Sequence, residues 1–262
     1  MPIARVNDIE MNWEIRGTGS PLLMIMGWTA NKDWWPEHFL NYLEKHYMLI
    51  LLDNRGSGHS ESSRGLYYMA QFADDVMALM DTLNIQKAHV FGVSMGGMIA
   101  QELTIRSPDR VEKLILGCTT CGPKHGRTFS SLGIYCGIKY GIRYGYNLDK
   151  WLIRLLLSRS DLNNKDREFI RCIRHAPIKR VDKWKQFWAI RKFDSYSRLE
   201  KIKCPVLVMT GTKDLLMPHK NSDILAKKIP AAKLIKMHGL NHAFIGDDPE
   251  GVFIVIHDFL KA

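Results

Sequence analysis

The stretch HVFGVSMGGMIA, His89 to Ala100, places one serine, Ser94, between Gly92 and Gly96, with Gly97 directly behind. The residues before it, KAHVFG (Lys87 to Gly92), are a short apolar run with β-branched and aromatic members, the pattern of a buried strand. Those after it, GGMIAQELTIRSP, space Met98, Ile99 and Leu103 as a helix does and stop at Pro108. Ser94 is therefore expected on a sharp strand-to-helix turn with positive φ. The residues two before and two after such a serine come into near contact, which leaves room only for glycine.

The same alternation continues to either side. Ile3 to Val6 and Met11 to Arg16 read as a hairpin around the polar NDIE. Apolar runs recur as LLMIM (22–26), YMLILL (47–52), AHVF (88–91), VEKLILGC (111–118) and PVLVMTG (205–211), with amphipathic segments such as Met69 to Leu83 between the first four. Strands alternating with helices imply a mostly parallel sheet with helices on both faces. After Cys118 the alternation stops, and residues 122–203 read as a helical insertion. The pattern resumes at Cys204, with LIKM (234–237) and a last helix from Pro249 to Leu260. The expected organisation is one core of residues 1–121 and 204–262 carrying the insertion 122–203. Within it, Gly133, Gly137, Gly141 and Gly145 recur every four residues and would line one groove of a helix, if the segment is helical at all.

Composition excludes several classes. A chain of 262 residues, 46% hydrophobic and 24% charged, has the make-up of a soluble globular protein with one large core. The amino terminus lacks the apolar centre of a secretion signal, and no run of eighteen uncharged apolar residues occurs, so a cytoplasmic protein without a transmembrane segment is expected. Five cysteines (118, 121, 136, 172 and 204) do not suggest a disulfide framework. The pair Cys118 and Cys121 has neither a second C-x-x-C nor a histidine pair to complete a zinc site, so both are expected as free thiols near a strand end.

A serine hydroxyl is a poor nucleophile until a base, itself oriented by an acid, removes its proton. Asp214 stands in VMTGTKDLLMP, just past a strand, and His242 in MHGLNHAFIG after the next one, with His238 a competing base. Backbone N–H donors for a developing oxyanion are expected at Met95, behind the serine, and at Trp28 in GWTAN, where Gly27 lets the chain turn toward the site. In WKQFWAIRKF, Trp184, Phe187, Trp188 and Arg191 share one helix face, which would either line a substrate pocket or fasten the insertion to the core.

LLDNRGSGHS (Leu51 to Ser60), GVSMGG, GTKD and GLNHAF together resemble the α/β-hydrolase superfamily over nearly the whole chain. The resemblance implies an eight-stranded, mostly parallel sheet with an inserted helical cap. It makes Ser94 the nucleophile, Asp214 the acid, His242 the base, and Trp28 and Met95 the oxyanion donors, with no metal or organic cofactor. Asp53 and Arg55 fall in a mainly structural loop. Met26-Gly27 stands where the family often has His-Gly, as in a subgroup of esterases and lactonases. MGWTAN lacks the longer glycine-rich loop of carbon–carbon bond hydrolases, and Ser94 argues against relatives with an aspartate at the turn. The implied activity is hydrolysis of a carboxylic ester, lactone or thioester through an acyl-serine. Carbon–carbon hydrolysis, cofactor-free perhydrolysis and a ligand sensor are the alternatives.

Charge adds one expectation. Residues 122–203 hold 20 of the 37 Lys and Arg but 7 of the 27 Asp and Glu, a net +13 that leaves −3 on the rest. The expected partner is a small-molecule substrate, anionic if that field steers it, rather than nucleic acid. Simple solvation of helix surfaces, or contact with an anionic membrane, would account for the same charges.

Overall fold

The computed structural model describes residues 2–127 and 178–262. The glycine series 133–145 lies outside the described residues. Strands β1 (Ile3–Val6), β2 (Ile9–Arg16), β3 (Ser20–Ile25), β4 (Tyr47–Leu52), β5 (Ala88–Val93), β6 (Val111–Gly117), β7 (Val206–Gly211) and β8 (Ala232–Met237) form one sheet in the order β1-β2-β4-β3-β5-β6-β7-β8. The β1/β2 and β2/β4 pairs are antiparallel and every other pair is parallel. All the parallel strands thus end at one edge.

Their apolar runs are continuous because both faces are covered, as parallel sheets require. Side chains alternate between two cores. Leu23, Ile25, Ile50, Leu52 and Val90 belong to one, with α2 (Met69–Thr82), α3 (Met95–Arg106) and α5 (Lys220–Lys228). Leu22, Met24, Leu49, Leu51 and Phe91 belong to the other, with α1 (Glu37–Leu43) and α7 (Pro249–Lys261). Helix α7 starts where the sequence places it: Asp248 accepts the Gly251 N–H at 3.0 Å and Pro249 takes the first helical position, where a missing N–H costs nothing.

The first hairpin is tighter than the sequence suggests. β2 begins at Ile9, because Asn7 adopts φ +50° and turns the chain in two residues. Between β6 and β7, the described part of the chain contains α4 (Arg180–Lys192), which lies over the carboxyl edge of the sheet. The four-residue helix α6 (Phe244–Asp247) follows the loop after β8.

Candidate active site

Ser94 directly follows β5 and occupies the N-cap position of α3 with φ +58° and ψ −119°. For a side chain larger than glycine that backbone costs on the order of 1–3 kcal/mol, and surrounding packing must impose it. Here a methyl group on Gly92 would strike the Gly96 carbonyl, and one on Gly96 would strike the Ile25 carbonyl. Strand, turn and helix therefore approach as closely as backbones can. The Ser94 N–H donates to Gly117 O at 2.9 Å, and the Ser94 carbonyl accepts the Thr119 hydroxyl at 2.7 Å, tying the turn to the end of β6.

Asp214 follows β7 and His242 follows β8, both buried at 4% and 7% exposure. His242 Nδ1 lies 2.7 Å from Asp214 Oδ2, while Asp214 Oδ1 accepts the Leu216 and Met217 N–H groups, each at 2.8 Å. A carboxylate so bound holds the proton on Nδ1 and leaves Nε2 free to act as a base. Cys118, fully buried at φ +45°, lies beside the Asp214 carboxylate. Burial, and then the nearby Asp214 charge, push its thiol pKa well up. Ligand-type atoms of Cys118, Asp214 and His242 lie within 4.8 Å of one another, and two of the three, His242 and Asp214, already hydrogen-bond each other.

The loop after β3 brings backbone against the serine. A methyl on Gly27 would stand 3.0 Å from Ser94 Cβ and 3.5 Å from Ser94 Oγ. Asn54 Nδ2 donates to Met26 O at 2.9 Å, and Asp53 Oδ1 accepts the Lys32 N–H at 2.7 Å, so the DNRGSG loop braces this one. Burial raises the Asp53 pKa, offset in part by the Lys32 and His59 N–H bonds. On the opposite side, Met95 opens α3, where the first N–H groups have no partner within the helix.

Residues 20–132 match the family model for the alpha/beta hydrolase fold. The chain has the α/β-hydrolase fold. A protein of Caulobacter sp. (strain K31) named "Putative carbamate hydrolase RutD" is 29% identical over 238 residues, 87% of this chain and 85% of that one. One of Mycobacterium tuberculosis named "Putative non-heme bromoperoxidase BpoC" is 29% identical over 250 residues, 93% and 95% of the two chains. Among solved structures, a thermophilic esterase from Thermogutta terrifontis with malate bound superposes with a TM-score of 0.79 at 25% identity, covering 97% of this chain and 93% of the other. The enol-lactonase of Burkholderia xenovorans LB400 gives 0.84 over 100% of both chains at 24% identity, a likeness of fold. The protein is thus a hydrolase of the α/β fold.

In this hydrolase the two histidines differ: His238 is exposed in the turn after β8, while His242 faces Asp214. Cys118 and Cys121 are free and buried. Of the aromatic stripe on α4, Trp184 and Trp188 are 63% and 40% exposed and Arg191 is exposed, whereas half-buried Phe187 packs 5.7 Å from the Trp28 ring. The face α4 turns inward is polar over its first turns, at Asp182 and Gln186, and apolar at its end, where Ala189 and Ile190 join the core. Asp182 accepts the Tyr67 hydroxyl at 2.7 Å and the Ser62 hydroxyl at 2.5 Å, and Gln186 bonds Thr29, Arg55 and Ser57. Neither residue carried a signal in the sequence, since a periodicity search weighs only apolar positions. Among the described residues, no helix is long and apolar enough to cross a membrane.

Proposed function

We propose that the protein is a serine hydrolase that opens a carboxylic ester, lactone or thioester through an acyl-serine intermediate. The observation that carries this reading is the strained Ser94, backed by Gly27, at the same sheet edge as the 2.7 Å His242–Asp214 pair. His242 Nε2 takes the Ser94 proton as Oγ adds to the carbonyl carbon. The oxyanion receives the Trp28 and Met95 N–H groups, and collapse expels the alcohol or thiol, protonated by His242. Water, activated by the same imidazole, then releases the acid and restores Ser94. Asp214 stabilises the imidazolium that forms in each half. Residues 122–203 serve as a cap over a core of 1–121 and 204–262, with Phe187 beside Trp28 and Trp184, Trp188 and Arg191 toward the pocket mouth.

The relative named as a carbamate hydrolase adds a carbamate to the carbonyl compounds worth testing. The one named as a non-heme bromoperoxidase favours a second reading, in which peroxide replaces water on the acyl-serine and yields a peracid. A panel of p-nitrophenyl esters, lactones, thioesters and carbamates, with and without peroxide, separates these, with Ser94→Ala as the blank. Multiple turnovers lost in Ser94→Ala support the proposal. Turnover that survives the substitution contradicts it, and a protein that turns over no class but binds them is a sensor.

A further inference from the structure

The loop that backs the serine is a strained turn. Gly27 O accepts the Ala30 N–H at 3.3 Å, which closes residues 27–30, and the third residue, Thr29, has φ +66°. A turn of this type II kind favours glycine or asparagine at its third position, and a β-branched residue there is an outlier. The Thr29 hydroxyl does not hold it, since Oγ1 is buried without a hydrogen-bond partner among the described residues.

What does hold it comes from α4. Gln186, at 0% exposure, accepts the Thr29 N–H on Oε1 at 3.0 Å. Its Nε2 donates to Arg55 O at 3.2 Å and Ser57 Oγ at 2.8 Å, so the amide cannot turn over without losing all three bonds. A second tie runs beside it: the Trp28 indole N–H donates to Lys183 O at 3.0 Å. The braces from Asn54 and Asp53 hold the ends of the loop, at Met26 and Lys32. Among the described residues, Gln186 alone hydrogen-bonds the peptide between residues 28 and 29.

We infer that Gln186 is a positioning residue for acyl transfer, holding the 27–30 turn in the form that presents the Trp28 N–H to the substrate oxygen. Without its acceptor, the Thr29 peptide rotates to relieve the positive φ, and the backbone angle next to the Trp28 N–H changes with it. Seating of α4 on the core and completion of the oxyanion hole are then one event, so a ligand that moves α4 controls the chemical step. The rate consequence rests on the acyl-serine reading; the hold on the turn does not.

The test compares wild type with Gln186→Leu, which keeps volume and loses the bonds, and Gln186→Glu, which keeps an acceptor for Thr29. Two readouts are taken: hydrogen exchange of the Trp28 and Thr29 amides, and kcat and KM for p-nitrophenyl butyrate. In Gln186→Leu those amides should exchange at least about tenfold faster while β5 and β7 stay protected. Its kcat should fall about 10- to 100-fold at little-changed KM, less than the roughly 10² to 10³ for complete loss of an oxyanion donor. Gln186→Glu should recover most of both. If Gln186→Leu does not fold, Gln186→Met supplies the same comparison. A lower Tm with unmoved Trp28 and Thr29 exchange, or with unmoved kcat, overturns the inference. Turnover that survives Ser94→Ala would sink the acyl-serine reading, yet the exchange of residues 28 and 29 would still decide what Gln186 holds.

Discussion

Gly96 has almost no freedom at the turn around Ser94. A methyl there would meet the carbonyls of Ile25 and Met26, both backbone and unable to yield. Gly96→Ala should therefore cost about 2–4 kcal/mol, a Tm loss of roughly 5–15 °C in a melting curve. Gly246→Ala, whose added methyl would find, among the described residues outside its own helix, only Pro36 Cγ at 3.9 Å, should melt within about 2 °C of wild type. This steric rule is local, which is why the glycines around Ser94 could be read from the sequence. Cys118 could not. It read as a free thiol at a strand end, and its contact with Asp214 exists only because β6 and β7 are neighbours in the sheet.

Among elements, the strands were legible because a parallel strand covered on both faces must be apolar throughout, as YMLILL and PVLVMTG are. Helix α4 was legible as a helix but not in its orientation. The rule that apolar residues point inward holds at its end, where Ala189 and Ile190 enter the core, but fails over its first turns, because the surface beneath them is the polar loop 53–63 and the turn 27–30. Asp182 and Gln186 match that surface bond for bond, and Trp184 is left outside. Asp182→Ala would leave the buried Tyr67 hydroxyl without its acceptor, a loss on the order of 2–4 kcal/mol. Hydrogen exchange should then quicken across 180–192 ahead of the sheet; uniform quickening would mean that α4 and the core unfold as one unit.

For the whole molecule, thiols partly or wholly withdrawn from water set an alkaline limit. Burial pushes the Cys121 and Cys204 pKa values up to about 11, from an ordinary 9.0. Above pH 9 the unfolded chain releases these protons and the folded chain keeps them, so the folded state binds more protons. Stability is whole below pH 9 and is lost as pH rises toward 11, by at most about 1.4 kcal/mol per unit for each thiol. The double variant Cys121→Ala, Cys204→Ala should show a shallower decline in urea midpoint over that window, and an equal slope would refute the assignment. The +13 carried by residues 122–203 makes a separate prediction. If it steers an anionic substrate, kcat/KM for an anionic ester should fall between 0.01 and 0.1 M salt, as the screening length drops from about 30 to 10 Å. A matched neutral ester should hold steady; equal responses would leave those charges a solvating role. The most direct measurement of the central claim is labelling with a fluorophosphonate at neutral pH, followed by peptide mapping. The account predicts one modified serine, Ser94, and labelling slowed by orders of magnitude in His242→Ala but not in His238→Ala. Labelling that persists in Ser94→Ala would contradict it.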